Sequence, residues 1–288
     1  MGLWNRLFRR STRKNERYPP REAKKTPEGE RVTAIEIGQA TDIGQARETN
    51  EDAFLALHLL IGTETEQLPL ALLVVADGMG GHERGQEASS VAIRVASGVI
   101  VREVLLPVLN DTAAHGVSRP VQEILSEAVG AANEAVSRIE GDAGTTLTSA
   151  LIVGHSAYLA HVGDSRAYYL DRGELHQITQ DHSLVNRLVQ LGQISAQEAQ
   201  SHPQRNFLYR ALGQGPELEI DTHLQRVVEG SYLMLCSDGL WNDVANQEMV
   251  EIIQRSASPQ EACNRLIDKA CERGVEDNIT VVMARINY

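Results

Sequence analysis

Acidic residues recur where apolar runs begin or end. LALLVVADG, residues 70 to 78, closes on Asp77 and Gly78, and LMLCSDGL, residues 233 to 240, contains the same pair as Asp238 and Gly239. Two further junctions put the acids first: Asn50-Glu51-Asp52 precedes AFLALHLL, and Glu276-Asp277 precedes NITVVMARI. A fifth, Gly163-Asp164, joins YLAHV to SRAYYL. Any one of these suits a turn or a cap. If the junctions converge, four or five carboxylates share a small volume and repel one another, which a fold relieves by protonating them or by binding cations. Cations are the simpler relief. Carboxylates, a backbone carbonyl and water are hard oxygen donors suited to Mg²⁺ or Mn²⁺. Gly78 then has a purpose, because its carbonyl can approach a metal unobstructed by a side chain. Nine histidines form no H-E-x-x-H pair and three cysteines no C-x-x-C pair, so a zinc site is not indicated.

Other chemistries fit less well. A dinucleotide loop would need Gly where Glu83 stands, no G-x-x-x-x-G-K-[ST] loop occurs, and Tyr158 replaces the second glycine of a nucleophile elbow at Gly154-His155-Ser156.

The elements that must position these acids can be read from periodicity. Strand-like patterns cover residues 31–37, 53–59, 70–76, 146–153, 157–162, 166–170, 218–227, 232–236 and 279–286, with helical periodicity over 83–108, 121–139, 184–191 and 247–254. A last helix starts at the Ser258-Pro259-Gln260-Glu261 cap and stops before Gly274. Several strands follow one another without intervening helices, which predicts an α+β protein with antiparallel sheets covered by helices. Residues 181–215, polar and holding two short helices, read as an inserted flap.

Taken in order, the motifs resemble the metal-dependent serine/threonine protein phosphatases of the PP2C type (PPM family), in their compact bacterial form. The match runs through R-x-x-N-E-D (Arg47 to Asp52), V-A-D-G-M-G-G (Val75 to Gly81), G-T-T (Gly144 to Thr146) and G-D-S-R (Gly163 to Arg166). It continues through D-H-S (Asp181 to Ser183), S-D-G-L (Ser237 to Leu240) and E-D-N-I-T (Glu276 to Thr280), and covers about residues 32–288. The resemblance implies a central β-sandwich of two antiparallel sheets flanked by helix pairs, a four-layer αββα architecture, with metals in a cleft at one end. It implies that Asp77 bridges two Mn²⁺ or Mg²⁺ ions, that Asp238 and Asp277 complete one of them, and that the Gly78 carbonyl serves the other. Asp52 and Glu51 contribute through water, and Asp164 matches a position that helps hold a third, weaker metal in bacterial members. As a residue, Asp164 also suits a simple turn.

Hydrolysis then follows a two-metal path, in which cations about 3.5–4 Å apart hold a bridging hydroxide that attacks phosphorus in line. Arg47 can clamp the phosphate with its planar fork or neutralise nearby carboxylates, and the resemblance favours the phosphate. Many eukaryotic members of that family carry His directly after the D-G pair, where this chain has Met79, so the resemblance leaves the leaving-group proton to His82 or to a metal-held water.

Charge divides the chain. Residues 1–31 hold ten Lys/Arg against four Asp/Glu, so of the total of −12 the remainder carries −18. The basic segment reads as a disordered tail, without a signal-peptide apolar core, and its GLWNRLF stretch suits contact with anionic lipid or an acidic partner. The acidic remainder disfavours nucleic acid as a substrate. No stretch approaches the ~20 apolar residues of a membrane span. The expected protein is thus a cytoplasmic monomer that removes phosphate from phosphoserine and phosphothreonine, opposing a cognate kinase. A catalytically silent phosphoprotein-binding regulator and a two-metal hydrolase of small phosphoesters are the competing readings.

Overall fold

The computed structural model describes residues 34–62, 67–80, 83–109 and 119–288. The basic segment 1–31 and His82 therefore lie outside the described residues.

Among the described residues, eleven strands form two antiparallel sheets. The first takes the order β1 (Ile35–Asp42), β11 (Ile279–Ile286), β10 (Tyr232–Cys236), β7 (Arg166–Asp171) and β8 (Glu174–Gln177). The second takes β2 (Asp52–Gly62), β3 (Gln67–Met79), β5 (Leu147–Val153), β6 (Ser156–Val162) and β9 (Asp221–Arg226), with the two-residue β4 (Gly144–Thr145) added to the end of β3.

The apolar run of β3 is continuous because both of its faces are buried. Leu70, Leu72, Val74 and Ala76 face α1 (Glu83–Ile100) and α3 (Val121–Val136), where small residues such as Ala88, Ala92, Ala128 and Ala132 allow close approach. Ala71, Leu73 and Val75 face the other sheet and meet Leu233, Leu235, Val282 and Ala284. The alternate residues of β10 and β11, Met234, Cys236, Val281 and Met283, pack under α7 (Asn246–Gln254) and α8 (Pro259–Glu272). Three stacked cores thus make the four-layer sandwich, each fully buried Leu or Val contributing about 1.5–3 kcal/mol.

The helix expected over residues 83–108 is interrupted. After Ile100 the chain widens into a π-turn, Val101–Leu105, in which Leu106 N–H reaches back to the Val101 carbonyl, and α2 (Leu106–Leu109) follows. Pro107 has no N–H to continue the regular ladder, and the wider turn accommodates it. Elsewhere the caps act as the sequence indicates: the Ser258 hydroxyl accepts from Glu261 N–H at 3.2 Å, and Gly274 takes the left-handed conformation at φ 80°. Of the strand expected at 31–37, residues 31–33 lie outside the described residues; the strand seen runs over Ile35–Asp42, and the short β8 was not foreseen.

Residues 181–215 leave the sandwich between β8 and β9 and carry α4 (Leu184–Gln190) and α5 (Ala196–Gln200). The Ser183 and Ser195 hydroxyls cap these helices. Among the described residues, no helix is long and apolar enough to cross a membrane.

Candidate metal centre

One end of the sandwich gathers the acidic junctions. Asp52 opens β2 and pairs directly with Asp77 near the end of β3. Asp164 precedes β7, Asp238 follows β10, and Asp277 precedes β11, while Cys236 pairs with both Arg166 and Val281. Antiparallel pairing gathers two of these junctions in one sheet and three in the other, and the stacking of the sheets brings all five to one end of the sandwich.

Local structure differs from a set of simple turns. β3 continues past Asp77, because Gly78 and Met79 pair with Thr145 and Gly144. The Asp77 carbonyl accepts from Thr146 N–H and from the Thr145 hydroxyl, both at 2.9 Å, and Asp77 N–H donates to the Thr146 hydroxyl at 2.9 Å. Asp238 opens α6 (Asp238–Trp241), where Asn242 Nδ2 donates to its carboxyl at 3.3 Å. Glycine is needed at position 78 for another reason besides carbonyl access: a Cβ there would collide with the Gly85 carbonyl of α1 and with the Glu51 carbonyl.

The electrostatics are those of crowded acids. Burial, and then the charges of Asp52, Asp238, Asp164 and Asp277, push the Asp77 carboxyl well above its ordinary value. Asp238 is raised in the same way, by burial first and then by Asp164, Asp277 and Asp52. Asp52 is pushed up to about 6 and Asp164 to about 7, each mainly by burial. The Ser237 hydroxyl donates to Asp52 Oδ2 at 2.7 Å, but Asp52 Oδ1 is buried with no hydrogen-bond partner. An orphaned carboxylate oxygen among mutually repelling acids suits a cation, and the donor set is entirely hard oxygen. Among the described residues, no three such groups already stand arranged around one ligation point.

Glu51 is buried, and its carboxyl lies over Gly85 in the first turn of α1. Arg47 donates to Asp277 Oδ2 at 2.7 Å, so in this arrangement its fork is engaged by a carboxylate. Sequence reasoning missed Asn278 and Ser237. Asn278 accepts from Glu51 N–H at 2.7 Å and donates to the Ile43 and Thr49 carbonyls at 2.8 and 3.1 Å, pinning the loop that carries Arg47. Ser237 links Asp52 to β11 by accepting from Thr280 N–H at 2.9 Å. Their signal was a polar residue directly beside each acid at the edge of a buried strand.

Comparison with known proteins identifies the family. The protein phosphatase 2C family model matches residues 45–270. A serine/threonine phosphatase of Listeria innocua is 37% identical over 247 residues, 86% of this chain and 94% of that protein. The crystal structure of the Mycobacterium tuberculosis serine/threonine phosphatase PstP/Ppp superposes with a TM-score of 0.73 at 34% identity, covering 88% of this chain and 99% of that one. A PstP catalytic domain in complex with two manganese ions superposes with a TM-score of 0.69 at 32% identity, covering 88% and 99%. The chain belongs to the protein phosphatase 2C family, whose members in this comparison are serine/threonine phosphatases.

Proposed function

We propose that this serine/threonine protein phosphatase works through the acidic edge of the sandwich, with Asp77, Asp238, Asp277 and the Gly78 carbonyl holding two Mn²⁺ or Mg²⁺ ions. Asp52 and Glu51 act through water, and Asp164 holds a third, weaker ion. The observation that carries this reading is the buried, unpartnered Asp52 Oδ1 within a set of carboxyls that raise one another's pKa. When bound, the two ions supply the Lewis acidity that activates water and screens the phosphoryl charge. Arg47 exchanges the Asp277 carboxylate for the phosphoryl oxygens; its side chain is 48% exposed, which leaves it free to swing. His82 delivers the leaving-group proton.

Residues 32–288 act as the catalytic domain, a cytoplasmic monomer opposing a serine/threonine kinase, and residues 1–31 supply a basic contact for anionic lipid or an acidic partner. Deleting residues 1–31 is expected to leave turnover unchanged.

Turnover of p-nitrophenyl phosphate and of a phosphothreonine peptide, with Mn²⁺ and with EDTA, tests the assignment. Asp238→Ala is expected to lose at least about 100-fold with both substrates. Metal-independent turnover, or activity that survives the substitution, would overturn it. Peptide binding without any wild-type turnover would favour the silent regulator.

A further inference from the structure

The turn carrying Asp164 is held from several directions. Trp241 Nε1–H donates to the Asp164 carbonyl at 3.0 Å, and the Thr148 hydroxyl donates to the Ser165 carbonyl at 3.0 Å. Arg166 stacks over the Trp241 ring at 3.5 Å and places two N–H groups on Asp181 at 2.9 and 2.6 Å. Asp181 and His182 lie at the entry of the flap, so this turn is tied to a segment outside the sandwich.

The bond at Gly163 is of a different kind from the rest. Gly163 N–H donates to His182 Nδ1 at 3.0 Å, and His182 N–H donates back to the Gly163 carbonyl at 2.8 Å. Gly163 has φ 110°, and the Thr146 side chain fills the space a Cβ would take, so the direction of its N–H is narrowly set. A backbone N–H can only donate, so Nδ1 carries no hydrogen and the neutral ring has its proton on Nε2. Nε2 faces an acceptor, Asp221 Oδ2, at 3.2 Å. Arg210 Nη1, also 3.2 Å from Nε2, donates to Asp221 Oδ1. Tyr209, at the exit of the flap, donates its N–H to the His182 carbonyl at 3.0 Å. His182 is 1% exposed.

We propose that His182 is a positioning residue for the metal centre: its Nδ1 aims the Gly163–Asp164 turn, and its backbone bonds make that aim depend on the flap. The inference rests on Asp164 being a cation ligand. By linkage, occupancy at Asp164 steadies the flap root, and a steadied flap root strengthens occupancy.

Two substitutions separate aiming from mere support. His182→Asn places an acceptor near the position of Nδ1, whereas His182→Gln reaches toward Asp221 and offers Gly163 none. Mn²⁺ binding to the full chain, followed by the electron paramagnetic resonance of free Mn²⁺, reads the difference without turnover. Asp164→Asn is expected to lose one weak Mn²⁺. His182→Gln is expected to weaken that same ion about tenfold, while His182→Asn stays near wild type. Equal affinity in the two His182 variants, whatever their melting temperatures, would overturn the inference. A full Mn²⁺ count in Asp164→Asn would remove the ligand assignment itself, whereas loss there with His182→Gln intact would remove only the positioning role. Hydrogen exchange on the wild type needs no variant to fold: Mn²⁺ is expected to slow exchange over residues 162–166 and 181–184 together. Slowing confined to 162–166 would overturn the coupling.

Discussion

At the scale of single residues, the arrangement turns on which charge each polar atom answers. Arg47 donates to Asp277 through one guanidinium nitrogen at 2.7 Å, a bond that phosphoryl oxygens are proposed to replace. A lysine would keep the charge but lose the paired geometry. Arg47→Lys is therefore expected to raise KM for a phosphothreonine peptide about tenfold with a smaller change in kcat, since a hydrogen bond to a charged group contributes about 1.5–3 kcal/mol. An unchanged KM in steady-state kinetics would count against the phosphate role. His82→Gln is expected to slow hydrolysis of alkyl phosphoesters more than of aryl ones, whose leaving group needs little protonation. Equal slowing of both would remove His82 as the proton donor.

At the scale of elements, the acidic edge depends on backbones that approach closely and on ion pairs that hold the flap. The end of β3 lies between the Glu51 carbonyl and the first turn of α1, with no space for a methyl group at residue 78. Gly78→Ala is expected to cost about 3 kcal/mol, at the upper end of overpacking penalties, seen as a lower urea midpoint. Arg166 and Asp181 are 19% and 8% exposed, and the pair clamps the flap entry to β7. Arg166→Met removes the ion-pair partner of a buried carboxylate and leaves it only the Gln177 Nε2 donor at 3.0 Å, a change that typically costs about 3–5 kcal/mol. Urea unfolding that matches wild type would show that the pair carries no stability.

At the scale of the whole molecule, the crowded carboxyls link stability to pH and to metal. A free aspartate titrates near 3.9, whereas Asp52 and Asp164 are raised to about 6 and about 7 in the fold, mainly by burial. The folded state therefore binds more protons than the unfolded one across that interval. This contribution is fully present below about pH 4 and is lost as pH rises through the folded values. Buried His161, lowered to about 3, acts in the opposite sense, but only below the ordinary histidine range. Above pH 7 the carboxyls act together with the buried thiols of Cys236 and Cys263, which burial pushes up to about 12, and both give a slope of the same sign. With EDTA, the melting temperature is expected to fall from pH 7 to pH 8.5, and Mn²⁺ at 100 times its Kd is expected to add about 2.7 kcal/mol. A metal-free melting temperature that stays level or rises over this interval would contradict the raised carboxyls.

The sequence by itself determined the order of the longer strands, the places where acids interrupt them, and the cap of α8, because these follow from local periodicity and side-chain chemistry. Periodicity also determined an α+β class with antiparallel sheets covered by helices, whereas the four-layer αββα arrangement was implied by the resemblance of the motifs to the protein phosphatase 2C family. Tertiary structure decided what depends on atoms distant in the chain. The pairing of Asp52 with Asp77, the orphaned Asp52 oxygen and the Arg47–Asp277 bond arise from register between strands. So do the buried roles of Ser237 and Asn278, whose polarity alone would have suited a surface turn. His182 marks the limit most clearly: a histidine in D-H-S shows its type, but only the folded chain brings its Nδ1 to Gly163 and its Nε2 to Asp221. A hydrogen bond across many residues depends on where two backbones meet, and that meeting is set by the packing of the whole sandwich.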